Sequence, residues 1–366
     1  MINVTKPFLP PLEEVIPALE RIWQSKILTN SGLFEKELES ELGKYLGVEH
    51  ISLVCNGTVG LMLALKASAT TGEVITTPYS FAATSNVLSW CNLDPVFVDI
   101  DSETLNIDPR EIEAAITPNT KAILAVHCYG NPCDIDALSI ISKKHKVPII
   151  YDACHAFGVI HNGRSLLDNG DYSVVSFHAT KIFHTFEGGA VICRSKAGKE
   201  KIDKMKNFGF VDETSVITQG INGKMSEFNA AVGLAQIAHL PEILNRRKNI
   251  DEKYRESLSQ IEGIRCLPQF ANGVRNYPYF PILINNKSKI TRDQIVLSMR
   301  ELGVNVRRYF YPLITELAVY DVYKIKTRIS CPNSLDASLA VICLPIYPDL
   351  SDSELDFIIR SLIKIL

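Results

Sequence analysis

The chain is poor in the features that mark several protein classes. Its nine cysteines are an odd number and stand singly, with no CxxC pair. That usage argues against a disulfide framework and reads as free thiols in a reducing compartment. Cys128 and Cys133 beside His127 form one loose cluster, too sparse for the ligand spacing of a metal site, and no metal is expected. Apolar runs stop short of the roughly 18–20 residues that a membrane helix needs. The start, Met1 to Pro7, lacks the apolar stretch of a secretory signal. Long basic runs are missing too: 38 Lys+Arg stand against 41 Asp+Glu, for a net charge of −3. Neither nucleic acid nor membrane is therefore an expected partner. No internal repeat or low-complexity segment is visible. These absences leave a soluble, cytoplasmic protein as the expectation.

What is present is packing material. With 366 residues, 46% hydrophobic and 22% charged, the chain can fill a large core and about two domains. Short apolar segments at 50–54, 73–76, 95–99, 122–127, 148–152 and 173–177 read as strands. Helical patterns at 59–67, 81–90, 109–116 and 136–145 separate them. Near-continuously apolar strands alternating with helices predict an α/β fold, a mostly parallel sheet covered by helices. Pro241, between helices expected at 225–240 and 242–258, marks a boundary. It divides a large domain, 1–240, from a smaller C-terminal α+β domain, 241–366.

Ligands in such sheets bind at the carboxyl ends of strands, so the residues there carry the functional signal. Asn56-Gly57-Thr58-Val59 follows a strand and opens a helix. Thr58 can cap it while the amides of Gly57, Thr58 and Val59 face outward, a ready phosphate cradle or an ordinary helix start. Asp152 ends another strand, where a carboxylate pairs with a backbone amide or holds a pyridine nitrogen protonated. His155, three residues on, is a core histidine or lies against the same ring. Phe81 packs in the core or stacks on a ligand ring. After the strand ending at Phe177 comes Lys181, closed off by Glu187-Gly188-Gly189. That lysine is a surface charge or an amine that forms a Schiff base with a cofactor aldehyde. With Ser176 as a phosphate hydroxyl, the set contains what pyridoxal phosphate requires.

The motifs resemble those of the DegT/StrS nucleotide-sugar aminotransferases, which are fold-type I pyridoxal-phosphate enzymes. The likeness runs from Pro7-Phe8-Leu9-Pro10-Pro11 through Pro78-Tyr79-Ser80-Phe81 and Asp152-Ala153-Cys154-His155. It includes Asn56-Gly57-Thr58, Ser176-Phe177-His178-Ala179-Thr180-Lys181 and Asn222-Gly223-Lys224-Met225-Ser226-Glu227, and runs over nearly the whole chain. The resemblance implies that Lys181 forms the Schiff base and shuttles the proton, with Asp152 on the ring nitrogen. Phe81 and His155 would lie against the ring, and Gly57, Thr58, Val59 and Ser176 on the phosphate. Asn222 would reach the phosphate of a neighbouring subunit, making a homodimer with its active site at the interface. The implied reaction moves an amino group from glutamate to a keto-sugar nucleotide. A likeness to viosamine-type synthases points to dTDP-4-keto-6-deoxyglucose as acceptor and to surface-polysaccharide (O-antigen) synthesis. A 3-keto or a UDP-linked 4-keto sugar is the alternative acceptor, and a non-catalytic sensor the alternative class. Sugar 3-dehydratases of the same fold carry histidine at the lysine position, which Lys181 argues against. Lys26, His184, Thr185, Arg308 and Tyr309 are candidate substrate contacts.

Overall fold

The computed structural model describes residues 1–69, 71–285, 287–321 and 330–366. Seven strands form the main sheet: β1 (Ile51–Val54), β2 (Gly72–Thr76), β3 (Leu93–Phe97), β4 (Thr120–Val126), β5 (Ile149–Asp152), β6 (Tyr172–Ser176) and β7 (Gly189–Cys193). Their spatial order is β1-β7-β6-β5-β4-β2-β3. Strands β6, β5, β4, β2 and β3 pair in parallel. β7 runs antiparallel to both β6 and β1, so β1 points the same way as the parallel set. The carboxyl ends of five neighbouring strands therefore open on one edge of the sheet.

Helices cover both faces, as the apolar strands require. On one side α1 (Leu12–Ser25) and α2 (Leu33–Leu46) pack with the long helix Glu227–Leu258. Leu38, Leu42 and Leu46 of α2, four residues apart, are fully buried. On the other side α3 (Gly57–Ser68) lies on β6 and β7, next to α4 (Ala82–Trp90). A second core forms around an antiparallel sheet of Ile264–Cys266, Phe280–Ile284 and Val341–Leu344. Helices Arg292–Glu301 and Asp352–Ile365 flank it.

One expectation changes, and one helix was not expected. The separate helices at 225–240 and 242–258 are one helix of 32 residues with Pro241 inside it. That helix serves the first core as far as Ile243 and the second from Ile250 onward, so packing on both sides outweighs the hydrogen bond that proline forfeits. The lysine-rich segment Lys196–Met205 is also helical, with only Ile202 and Met205 buried, too thin an apolar stripe to read from sequence.

One distant contact fixes α2. Its N-cap, Gly32, has no side chain to cap with. Instead Glu227, from 193 residues away, accepts the amide hydrogens of Phe34 and Glu35 at 2.8 and 3.0 Å. A Cβ at residue 32 would stand 2.5 Å from the Glu227 carboxyl carbon, so the glycine makes room for the cap. Glu227→Ala strips a buried acceptor from two amides and should lower stability by about 2–3 kcal/mol. Urea denaturation checks this, and an unchanged midpoint would show that the cap is dispensable.

Candidate active site

Asp152 closes β5 and is 6% exposed. Its Oδ1 accepts the amide hydrogen of Cys154 at 3.2 Å, and its Oδ2 accepts the Thr84 hydroxyl at 2.7 Å. The backbone pairing expected of a structural carboxylate is thus present. One donor on each oxygen still leaves lone pairs for a further N–H.

On the neighbouring strand, β6 ends at Ser176, and Lys181 follows a turn in which its amide donates to the His178 carbonyl. The Phe177 amide then reaches the Gly188 carbonyl at 2.8 Å, and β7 returns from Gly189. The Glu187-Gly188-Gly189 closure after the lysine is the return of this hairpin. Lys181 is half-buried. Burial pushes its amine down, but Tyr279, Cys154 and Asp152 together outweigh this and hold it above the ordinary lysine value. A cation bound to Asp152 would remove one of the three groups that keep this proton on Lys181.

His155 is buried, stacked on Phe310 (centroids 6.0 Å apart) and edge-on to Tyr279 at 4.9 Å. Burial, followed by the charge of Lys181, pushes its imidazole well below the ordinary histidine range. It is therefore neutral, and its Nδ1 has no hydrogen-bond partner among the described residues. Asn276 holds this loop by donating to the carbonyls of His155 and Phe157 at 2.8 and 2.9 Å.

At the end of β1, Gly57 is buried against Ser176: a Cβ there would lie 2.9 Å from the serine Cβ. Only glycine lets the first turn of α3 come this close. Asn56 caps that helix, with its Oδ1 accepting from the Val59 amide at 2.8 Å. This corrects two expectations, since Thr58 is not the cap and the Val59 amide is already spent. The amides of Gly57 and Thr58 have no acceptor among the described residues, which leaves them and the Ser176 hydroxyl as the anion cradle. Phe81, 59% exposed at the start of α4, presents a free ring.

The candidate substrate residues divide. Tyr309 packs edge-on against Tyr279 at 5.5 Å and so joins the group around Lys181. His184 and Thr185 do not: both are 0% exposed. The His184 Nε2 meets the Phe8 carbonyl at 2.6 Å and Gln236 at 2.8 Å, while Thr185 donates to the Glu187 carbonyl at 2.7 Å. They are corrected to groups that fasten the core, because each spends its polar atoms inward. Arg308 pairs with Asp293 at 2.9 Å and lies over the Tyr311 ring, a solvent-facing arrangement beside the start of helix Arg292–Glu301. Lys26 ends α1 in a left-handed conformation and is exposed. Asn222 is exposed and bridges Asn207. Thr84, Tyr279 and Phe310 are site residues that the sequence did not single out.

These features fit pyridoxal phosphate: a carboxylate with spare lone pairs, a neutral imidazole with an unpaired nitrogen, two free amides beside a hydroxyl, and a lysine amine among them. Among the described residues no group of His, Cys, Asp and Glu could hold a metal, and no helix is long and apolar enough to cross a membrane.

The chain is similar to known proteins over nearly its whole length. The DegT/DnrJ/EryC1/StrS aminotransferase family matches residues 12–363. A dTDP-4-amino-4,6-dideoxy-D-glucose transaminase of Shigella dysenteriae is 49% identical over 364 residues, covering 100% of this chain and 99% of that protein. The Escherichia coli transaminase of the same name is 46% identical over 96% of this chain and 95% of its own. Among solved structures, DesI in the presence of its TDP-sugar product superposes with a TM-score of 0.94 at 34% identity, covering 99% of this chain and 92% of that one.

Proposed function

The chain belongs to the DegT/DnrJ/EryC1/StrS aminotransferase family, and we propose that it carries an amino group from glutamate to C4 of dTDP-4-keto-6-deoxyglucose, giving dTDP-4-amino-4,6-dideoxyglucose. It is a pyridoxal-phosphate-dependent aminotransferase acting on a nucleotide sugar. The observation that carries the choice of sugar is the 49% identity, over the whole chain, to a transaminase named for that product.

Pyridoxal phosphate supplies an aldehyde that takes up amino groups and a ring that accepts the electron pair left on a deprotonated carbon. The protein's own residues do the rest. The amides of Gly57 and Thr58 and the Ser176 hydroxyl hold the phosphate. The Asp152 carboxylate would keep the ring nitrogen protonated, and Phe81 and His155 would lie against the ring. Water supplies the keto oxygen of the 2-oxoglutarate that leaves, the amino group stays with the bound cofactor, and Lys181 would be the base that takes the α-proton of glutamate. In the second half it delivers a proton to the sugar carbon that receives the amine.

The proposal includes a homodimer in the cytoplasm, with Asn222 reaching the partner's phosphate cradle. Supporting this, Phe208, Phe210, Val216 and Ile217, in the segment leading to Asn222, are exposed apolar residues of a kind that interfaces cover. It also places the large domain at 1–240, the small one at 241–366, and the product in surface-polysaccharide synthesis.

Incubation with glutamate and a panel of keto-sugar nucleotides tests the reading. The panel holds dTDP-4-keto-6-deoxyglucose, its 3-keto isomer and a UDP-linked 4-keto sugar. The expected product, identified by mass and NMR, carries nitrogen at C4 of the dTDP sugar. Amination at C3, or turnover confined to the UDP sugar, would overturn the choice of acceptor.

A further inference from the structure

Two hydroxyl groups behind Asp152 have no part in the reaction described above. Thr84 is fully buried and Ser80 is 4% exposed. The Thr84 Oγ1 lies 2.7 Å from Asp152 Oδ2 and 2.7 Å from Ser80 Oγ. A threonine hydroxyl has one hydrogen, and Thr84 gives it to the carboxylate. The contact with Ser80 must then run the other way, with Ser80 donating. The order is Ser80 to Thr84 to Asp152, a chain of donors ending on a carboxylate oxygen.

The placement of Thr84 matters as much as its bond. It stands in the first turn of α4, and its amide donates to the carbonyl of Phe81 at 3.0 Å. The helix start that presents the Phe81 ring thus also grips the end of β5. On its other oxygen, Asp152 is held by the Cys154 amide, two residues along its own chain. With one donor on each oxygen, from two different segments, rotation about the carboxylate's bonds is restrained. The lone pairs that remain are aimed in a fixed direction.

We propose that Thr84, seconded by Ser80, is a positioning residue for amino transfer: it fixes the Asp152 carboxylate in register with the Phe81 ring, so that a ring nitrogen meets it without reorganisation. This rests on the reading of Asp152 as the ring-nitrogen partner. Such preorganisation acts on the chemical step and on cofactor retention, and it leaves recognition of glutamate nearly untouched.

The test uses the full-length enzyme loaded with pyridoxal phosphate. Thr84→Val replaces the hydroxyl with a methyl of equal size. It should lower kcat about tenfold and weaken pyridoxal-phosphate affinity severalfold, read by absorbance titration, with the KM for glutamate within twofold. Thr84→Ser restores the donor and should return both quantities to within about twofold. Ser80→Ala removes only the outer donor and should lower kcat about threefold. Wild-type kcat and cofactor affinity in Thr84→Val would overturn the proposal, as would a Thr84→Ser variant as impaired as the valine form. If Thr84→Val does not fold, Ser80→Ala decides: a reduced kcat supports the relay and an unchanged one refutes it. Asp152→Asn run in parallel separates the two levels. An impaired Asp152→Asn beside a normal Thr84→Val removes the relay alone, and a normal Asp152→Asn removes the reading of Asp152 beneath it.

Discussion

Replacing Lys181 with alanine is expected to slow amino transfer by about 10³-fold or more, while the folded chain still takes up pyridoxal phosphate. The reason lies in how the site is divided. The phosphate cradle comes from the start of α3 and the end of β6, and the ring-nitrogen partner from the end of β5. None of these depends on the Lys181 side chain. Its amine feels the charges of Tyr279, Cys154 and Asp152, so truncation removes electrostatic interactions of a half-buried residue. The chemistry loses much more. Lys181 is the amine whose charge reaches Cys154 and His155, and His155 is a poor substitute because burial pushes its imidazole well below the ordinary histidine range and makes it a weak base. Single-turnover assays with glutamate, alongside a cofactor absorbance titration, measure both halves of the expectation. A variant that turns over normally would remove Lys181 from the reaction.

Asp152→Asn comes next in size, with an expected loss on the order of 100-fold or more in kcat. An amide carries no charge and cannot hold a proton on a pyridine nitrogen, so the ring loses its capacity to accept electrons. The fold should bear the change well. The asparagine oxygen can still accept from the Cys154 amide or from the Thr84 hydroxyl, and Thr84 can turn to accept from the new NH₂ group. A stability cost of about 1 kcal/mol is expected, which thermal denaturation would register as a shift of a few degrees. Loss of activity together with wholesale unfolding would indicate a structural carboxylate instead.

The comparison between sequence and structure separates by distance along the chain. Asp152, Ser176, Lys181 and Gly57 were legible because each sits at the end of an apolar strand, where local pattern fixes position. The parallel sheet was legible for the same reason. Tyr279 and Phe310 are not, since they belong to a further cluster where Tyr79 and Tyr129 meet Leu283 and Cys343 of the C-terminal sheet, and they reach His155 only through that distant packing. Thr84 was hidden differently: in Ala82-Ala83-Thr84-Ser85 it reads as the interior of a helix start, and only its bond to Asp152 gives it meaning. The errors follow the same rule. His184 and Thr185 look like open loop positions beside the lysine. The partners of His184 are Phe8 and Gln236, 176 and 52 residues away, and no local pattern announces them. The sequence offers the Val59 amide to a phosphate, but Asn56, one residue before Gly57, takes it as the helix cap. Pro241 was read as a break because proline usually is one, yet burial on both sides keeps that helix continuous.

The central claim is that one lysine carries the chemistry. Reduction of the pyridoxal-phosphate-loaded protein with borohydride, followed by digestion and peptide mass mapping, tests it most directly. The account predicts one equivalent of cofactor mass, fixed on the peptide that contains Lys181. Label spread over surface lysines, or settled on another residue while the protein remains active, would contradict it.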